Sequence, residues 1–322
     1  MMLHQISNFN TLIGQFSDKP VDLVPNCRAL EADIVSKFGF GKSIGAIESL
    51  KSGQKLQIVE ENDHKSTQMS LWADEQLTAA MDPKRNTELS FLGVMAGSRF
   101  PAQSALSEAK EMLGPGTDTT SATLAHILWA LSLDRAFQED LVSELESSNW
   151  PTDMTELESL PKLVACVKEG IRWTGAAAAM LPRIVPKGGC ELEGIYVPGG
   201  TMVSSSPIWY LRDEDAFPEP DLYRPSRWLA KDQHAVAPLN KEYYIPFSRG
   251  PNVCIGIHFA YLELFLSVSQ ILKLYRLEPV DKLAMNTNIE AILPPRLEFV
   301  AAIPKCSLRV ILQDRYPKRP SE

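Results

Sequence analysis

A mainly α fold with a minor β portion towards the C-terminus is predicted by three features of this sequence. Apolar residues recur at helical spacing through the first half, most continuously at Leu124, Ile127, Leu128 and Leu131. From about residue 181, short β-like runs alternate with Gly- and Pro-rich turns. A long apolar stretch from about Cys254 to Tyr275 then returns the chain to helix.

Each element follows from local chemistry. Over Val21–Phe38 an apolar run leads into Leu30, Ile34, Val35 and Phe38 on one helical face, and Phe38-Gly39-Phe40-Gly41 ends it. Residues 51–68 are polar and weakly patterned, which predicts a loop. A helix from Ser70 to Ala80 stops before Asp82-Pro83. The main helical signal spans about Ser104 to Leu133, interrupted at Gly114-Pro115-Gly116, where proline removes a hydrogen bond and kinks the axis. Helices at Phe137–Ser147 and Leu160–Trp173 follow. Strands are expected at Arg183–Val185, Glu191–Tyr196 and Thr201–Ser204, separated by Gly188-Gly189 and Pro198-Gly199-Gly200. A Pro-rich irregular stretch over 207–252 leads into the helix from Cys254.

Composition bounds the function classes. With 44% hydrophobic and 22% charged residues, the 322-residue chain matches a globular protein organised as one domain over 1–322. A formal charge of −8 gives no support to nucleic-acid binding. A basic cluster remains around Arg224, Arg227, Lys231 and Lys241. Five scattered cysteines suit a reducing compartment better than a disulfide framework. Met1 to Asp18 has no basic region followed by an apolar run, and no stretch reaches about 18 consecutive apolar residues. The expected location is therefore cytoplasmic or peripheral at a membrane, with no spanning anchor.

The chemistry concentrates in Phe247-Ser248-Arg249-Gly250-Pro251-Asn252-Val253-Cys254-Ile255-Gly256. A cysteine where an irregular stretch meets a helix start is placed to be a thiolate, because unsatisfied amides and the helix dipole favour negative charge there. Gly250 permits a tight turn beneath a planar ligand, Gly256 permits close approach, and Phe247 covers the sulfur. Such a thiolate suits an iron porphyrin, whose strongly donating axial ligand favours O–O cleavage. A lone cysteine is more often a buried structural residue. Its flanks reverse that preference here.

The spacing Phe-x-x-Gly-x-x-x-Cys-x-Gly resembles the haem-binding signature of the cytochrome P450 family, with every fixed position present. Three further segments match in the family's order. Glu169-Gly170-Ile171-Arg172 is similar to the Glu-x-x-Arg motif, whose charges share a helix face. Tyr223-Arg224-Pro225-Ser226-Arg227-Trp228 is similar to the aromatic-Pro-x-Arg-aromatic segment, whose arginine joins the Glu and Arg in a buried network. Gly116-Thr117-Asp118-Thr119-Thr120 resembles the oxygen-activation motif, an acid and an alcohol that relay protons. The segment Phe38-Gly39-Phe40-Gly41-Lys42-Ser43 resembles fungal members.

The resemblance implies a partial cytochrome P450 fold holding heme b (iron protoporphyrin IX). Cys254 is then the axial iron ligand, Phe247, Gly250 and Gly256 shape the cofactor side, Asp118 and Thr119 are the catalytic pair, and Glu169, Arg172 and Arg227 form the structural network. It also implies electrons from NADPH through a cytochrome P450 reductase or similar donor, met by Lys241 and Arg249. The substrate would be small and apolar, in fungal secondary metabolism, with peripheral placement at the endoplasmic reticulum.

Four departures are visible. The resemblance begins partway through the family's fold, and the span from Ser43 to Gly116 is short for the helices that roof its pocket. Pro115 stands where the family has Ala or Gly. Asn252 stands where it usually has a basic residue for a haem propionate. Arg183 is the residue assigned a compensating charge, with Met180 as the other candidate for that place. Two readings follow: a haem-thiolate monooxygenase, or a shortened non-catalytic relative that holds haem weakly or not at all. Haem-thiolate isomerisation would predict loss of the acid–alcohol pair, which is retained.

Overall fold

The computed structural model describes residues 1–60, 67–81, 90–98, 100–229, 239–280, 290–298 and 300–316. The chain opens with α1 (Met2–Gly14), a helix whose Ile6, Phe9, Leu12 and Ile13 fall on one buried face. That periodicity stands in the sequence itself. Strand β1 (Pro20–Asp22) runs directly into α2 (Leu23–Phe40). Asp22 caps α2 by accepting a hydrogen bond from the Val24 amide at 3.2 Å. Gly41 ends it at φ 78°, a left-handed conformation that glycine adopts without a Cβ clash.

The expected loop over 51–68 instead contains short helices: the end of α3 (Ala46–Ser52) and all of α4 (Gln57–Glu60). Residues 61–66 and the Asp82-Pro83 breaker lie outside the described residues. Asp33, buried in α2, explains α3: its carboxylate accepts from the amides of Gly45, Ala46 and Ile47 and from the Ser43 hydroxyl. A carboxylate on the first amides of a helix substitutes for a local cap. Next come α5 (Thr67–Ala80) and α6 (Phe91–Ala96).

The spine is α7 (Ala102–Leu133), 32 residues long and helical straight through Pro115. The expected interruption at 114–116 is therefore corrected: Pro115 points outward and the helix continues around it. Gly116 lets α2 lie close, since a Cβ there would stand 3.0 Å from Val35 Cγ2. Then follow α8 (Arg135–Ser147), α9 (Met154–Glu158) and α10 (Pro161–Thr174). Pro161 starts α10, and Glu144 of α8 accepts from the amides of Lys162 and Leu163, both at 2.9 Å. Gly170 presses on α7 so closely that a Cβ would collide with Ile127.

Among the described residues the β portion is four small sheets. Strands β2 (Leu181–Ile184) and β5 (Met202–Ser205) pair antiparallel. Between them β3 (Cys190–Leu192) and β4 (Ile195–Val197) form a hairpin. This corrects the single strand expected over Glu191–Tyr196: Glu193 and Gly194, at φ 48° and 75°, turn the chain back. Helices α11 (Pro207–Leu211), α12 (Leu239–Tyr243) and α13 (Ile257–Leu274) follow. Strands β6 (Tyr275–Pro279), β7 (Arg296–Glu298), β8 (Ala302–Pro304) and β9 (Arg309–Asp314) finish the chain. β9 is central in the sheet β1-β9-β6, with Val21 opposite Val310 and Leu277 opposite Leu312. β7 and β8 form a hairpin, and an Ala177–Ala301 bridge joins the chain just past its tip to the segment after α10.

By length and composition α13 is apolar enough to cross a membrane, yet half of it is buried in this fold. It carries buried Leu264, Phe265, Val268 and Ile271 against α7 and α1. Each such side chain contributes roughly 1.5–3 kcal/mol by leaving water.

Candidate functional site

The cysteine loop lies before α13 and is built by backbone hydrogen bonds. The Ser248 amide donates to Ile245 O at 3.0 Å, the Val253 amide to Gly250 O at 3.1 Å, and the Cys254 amide to Phe247 O at 2.9 Å. Gly250 is at φ 80°, where a side chain would be strained, so glycine is required there. Ser248 adopts φ 63° without that relief. Phe247 packs on Tyr261 of α13, their rings 5.5 Å apart, and this anchors the start of the loop. The helix begins at Ile257 with Gly256 as its N-cap, so Cys254 lies just ahead of α13 rather than opening it. Its thiol is exposed.

Cys254 opens onto a cleft with about 870 Å³ free of protein atoms, its mouth included. α7 contributes Thr119, Thr120 and Thr123; α10 and the residues after it contribute Ile171, Gly175, Ala176 and Ala177. Phe247, Asn252 and Cys254 come from the loop, with Ala260 and Leu264 from α13. Ser248 adds a further hydroxyl, the rest of the lining is apolar (Leu181, Pro207, Leu211, Pro246), and none of the described lining residues carries a charge.

Thr119 and Cys254 therefore face one cleft. The Thr119 hydroxyl donates to Pro115 O at 2.8 Å, and the Thr123 hydroxyl to Thr119 O at 2.8 Å. Such back-bonding loosens the helix ladder locally. Asp118 turns to a different side. Its Oδ1 lies 3.7 Å from Arg28 Nε of α2, in a small cleft shared with Ser121 and Ala302. Burial lowers the Arg28 guanidinium from its ordinary value, and Asp118 opposes that. The expected acid and alcohol are neighbours in sequence that look into different spaces.

Arg183 sits exposed on β2 and donates to Pro182 O at 2.9 Å; Leu181, not Arg183, lines the cleft. Met180 is exposed. Lys241 and Arg249 are exposed beside the cysteine loop, Arg249 donating to Lys241 O at 2.7 Å. The expected basic cluster is narrower than its sequence. Arg227 is buried, Arg224 is paired with Glu219 and Glu290, and Lys231 lies outside the described residues.

Behind the cleft, Glu169, Arg172 and Arg227 come together as a fully buried network. Glu169 accepts from Arg172 Nε at 2.9 Å, Arg172 Nη2 at 2.8 Å and Arg227 Nε at 3.1 Å. Sequence reasoning missed two further donors, Trp228 Nε1 and the Arg224 amide, each at 2.9 Å. The aromatic ending of the Tyr223–Trp228 segment was the available signal. One carboxylate faces two guanidinia, and the excess charge is spread over carbonyls of Leu211, Leu222 and Glu219. Burial lowers Arg227 from its ordinary value, with Glu169 opposing. The network ties α10 to the residues before the cysteine loop.

The cytochrome P450 family model matches residues 12–301. The chain is similar to the cytochrome P450 monooxygenase sdnE of Sordaria araneosa, at 35% identity over 63% of this chain and 39% of that protein. It is 26% identical to the cytochrome P450 monooxygenase macH of Penicillium terrestre over 91% of this chain and 66% of the relative. With the fusicoccadiene C-8 hydroxylase of Alternaria brassicicola it shares 32% identity over 64% of this chain and 40% of that enzyme. The alignments thus span 39% to 66% of these curated relatives.

Proposed function

The chain belongs to the cytochrome P450 family, and from that premise we propose that it provides, as one domain, the haem-thiolate centre of a monooxygenase. The reaction inserts one oxygen atom of dioxygen into a small apolar organic substrate, in fungal secondary metabolism; relatives named as a monooxygenase and a hydroxylase support the oxygen insertion. Two electrons from NADPH, delivered through a reductase, and two protons balance reduction of the second oxygen atom to water. The observation that carries this reading is the exposed thiol of Cys254 opening onto the same apolar cleft as Thr119.

The residues fit heme b at its iron and along its apolar faces. Gly256 has φ −86°, and a Cβ there would meet only Cys254 Sγ at 3.9 Å. The polypeptide alone does not demand glycine at 256; a flat group seated on the sulfur does. Bound there, haem supplies dioxygen binding and reductive O–O cleavage, with Cys254 as the donating ligand. Phe247, packed on Tyr261, walls the cleft beside Cys254, and Leu181, Leu211 and Leu264 orient an apolar substrate. The Thr119 hydroxyl holds a proton at the cleft wall, while Asp118 exchanges protons from the Arg28 side. Lys241 and Arg249 give an acidic electron donor a landing point near the cysteine, with placement at the endoplasmic reticulum surface.

A second reading, a relative that holds haem weakly without turnover, is favoured by one observation. No cation lines the described cleft, so a haem propionate finds no partner there. The test separates the two. The full chain is expressed with haem, reduced and exposed to carbon monoxide. The strongly red-shifted Soret band of thiolate ligation is expected, and its loss in Cys254→Ala. A wild-type chain that retains no haem would overturn the enzymatic reading for this polypeptide.

A further inference from the structure

Away from the cleft, the helical core buries two carboxyls against each other. Glu31 of α2 and Glu263 of α13 are 0% and 1% exposed. The two side chains are near enough neighbours to act on each other's titration. Among the described residues, neither oxygen of Glu31 nor Oε1 of Glu263 has a hydrogen-bond partner. Both helices pack on α1 and α7, so the pair bridges across that shared contact. Two neighbouring carboxylates in an apolar interior repel each other and have both lost their hydration. The arrangement needs a proton.

We propose that Glu31 and Glu263 share one proton, held on Glu263 and donated to Glu31, and that this proton clamps α2 to the helix that follows Cys254. No cation takes its place among the described residues. Within α2, Arg28 goes to Asp118 and Lys37 to Gly41 O. α1 carries only the exposed His4. α3 pairs Glu48 with Lys51 at the surface, and Asp74 of α5 pairs with Lys110 of α7. On α7, His126 is turned edge-on to Trp173.

α10 closes its charges within the Glu169 network, while Lys168 lies over Trp228 and Tyr244. Glu139 of α8 takes Arg276 and Arg315, and Glu278 of β6 takes Arg135. Of α13's own cations, Lys273 lies over Trp150 and His258 is exposed. Cys27, one turn before Glu31, is the titratable neighbour, and burial with Glu31 beside it pushes its thiol well up.

The pH dependence follows. Burial raises both carboxyls, Glu31 to about 7 and Glu263 well above the ordinary carboxylate range. In the unfolded chain both ionise near about 4.3. From there up to about neutral pH the folded state holds more protons than the unfolded one, so stability falls as pH rises. Glu31 gives up its own proton around neutral pH, and the clamp is lost only where Glu263 ionises, above that.

Infrared difference spectroscopy on the full chain tests the shared proton without haem. At about pH 7.5, where exposed carboxyls are ionised, the wild type should show one buried protonated-carboxyl stretch that shifts on deuteration. The Glu31→Gln/Glu263→Gln double variant should lack it. In parallel, the wild-type melting midpoint should fall by several degrees from about pH 5 to about pH 8, and the double variant should show a flatter profile. A wild type without the stretch, or a stretch that survives the double substitution, overturns the proposal. So does a midpoint set by sodium or potassium concentration instead of pH, which would place a cation between the carboxyls. If the double variant does not fold, the wild-type spectrum decides alone.

Discussion

The Glu169 network and the cysteine loop lie on either side of one cleft and are built on opposite principles. In the network all three charged side chains are buried and the carboxylate is saturated by five donors. In the loop the thiol is exposed, Ile255 is 97% exposed, and the turn itself is shaped by backbone hydrogen bonds. One region is finished by the polypeptide itself. The other has its geometry fixed and its chemistry left open to a partner group.

Substitutions that remove network groups should therefore cost stability, and substitutions in the loop should cost ligand binding. Glu169→Ala should have the largest effect, about 3–5 kcal/mol by chemical denaturation, because it strands two buried guanidinia. A loss below about 1 kcal/mol would show that water reaches the network. Gly170→Ala should cost about 1–3 kcal/mol, since the new methyl meets Ile127 on a helix with no slack. Cys254→Ala should shift stability by less than about 0.5 kcal/mol, because its amide bond to Phe247 O remains, while thiolate ligation disappears. A larger loss would mean that the loop is not open as described. Smallest in the stability measurement is Asn252→Arg, expected to leave the midpoint unchanged and to slow haem loss by adding a cation at the cleft wall. An unchanged rate of haem loss would remove the propionate explanation.

What the sequence revealed divides along the same line. Cys254, Gly250 and the Glu169–Arg172 spacing are legible because their partners lie within a turn or a short loop. Arg227 needed a pattern some 55 residues downstream, and Trp228 was in view without a role. The Glu31–Glu263 pair was not legible: two glutamates 232 positions apart read as ordinary helix-surface residues until α1 and α7 enclose them. The same limit explains Asp118 and Thr119. Adjacent residues on a helix point about 100° apart, so a two-residue motif does not by itself say which of them enters the cleft.

The proline in α7 has a mechanical consequence. Pro115 has no N–H to give to the helix ladder, and its own carbonyl is shared with the Thr119 hydroxyl. The 32-residue spine stays helical through that position, so its ladder lacks one rung there. Beyond it the helix is wedged against α10 where Ile127 meets Gly170. The cleft wall at Thr119 thus hangs one turn past the missing rung.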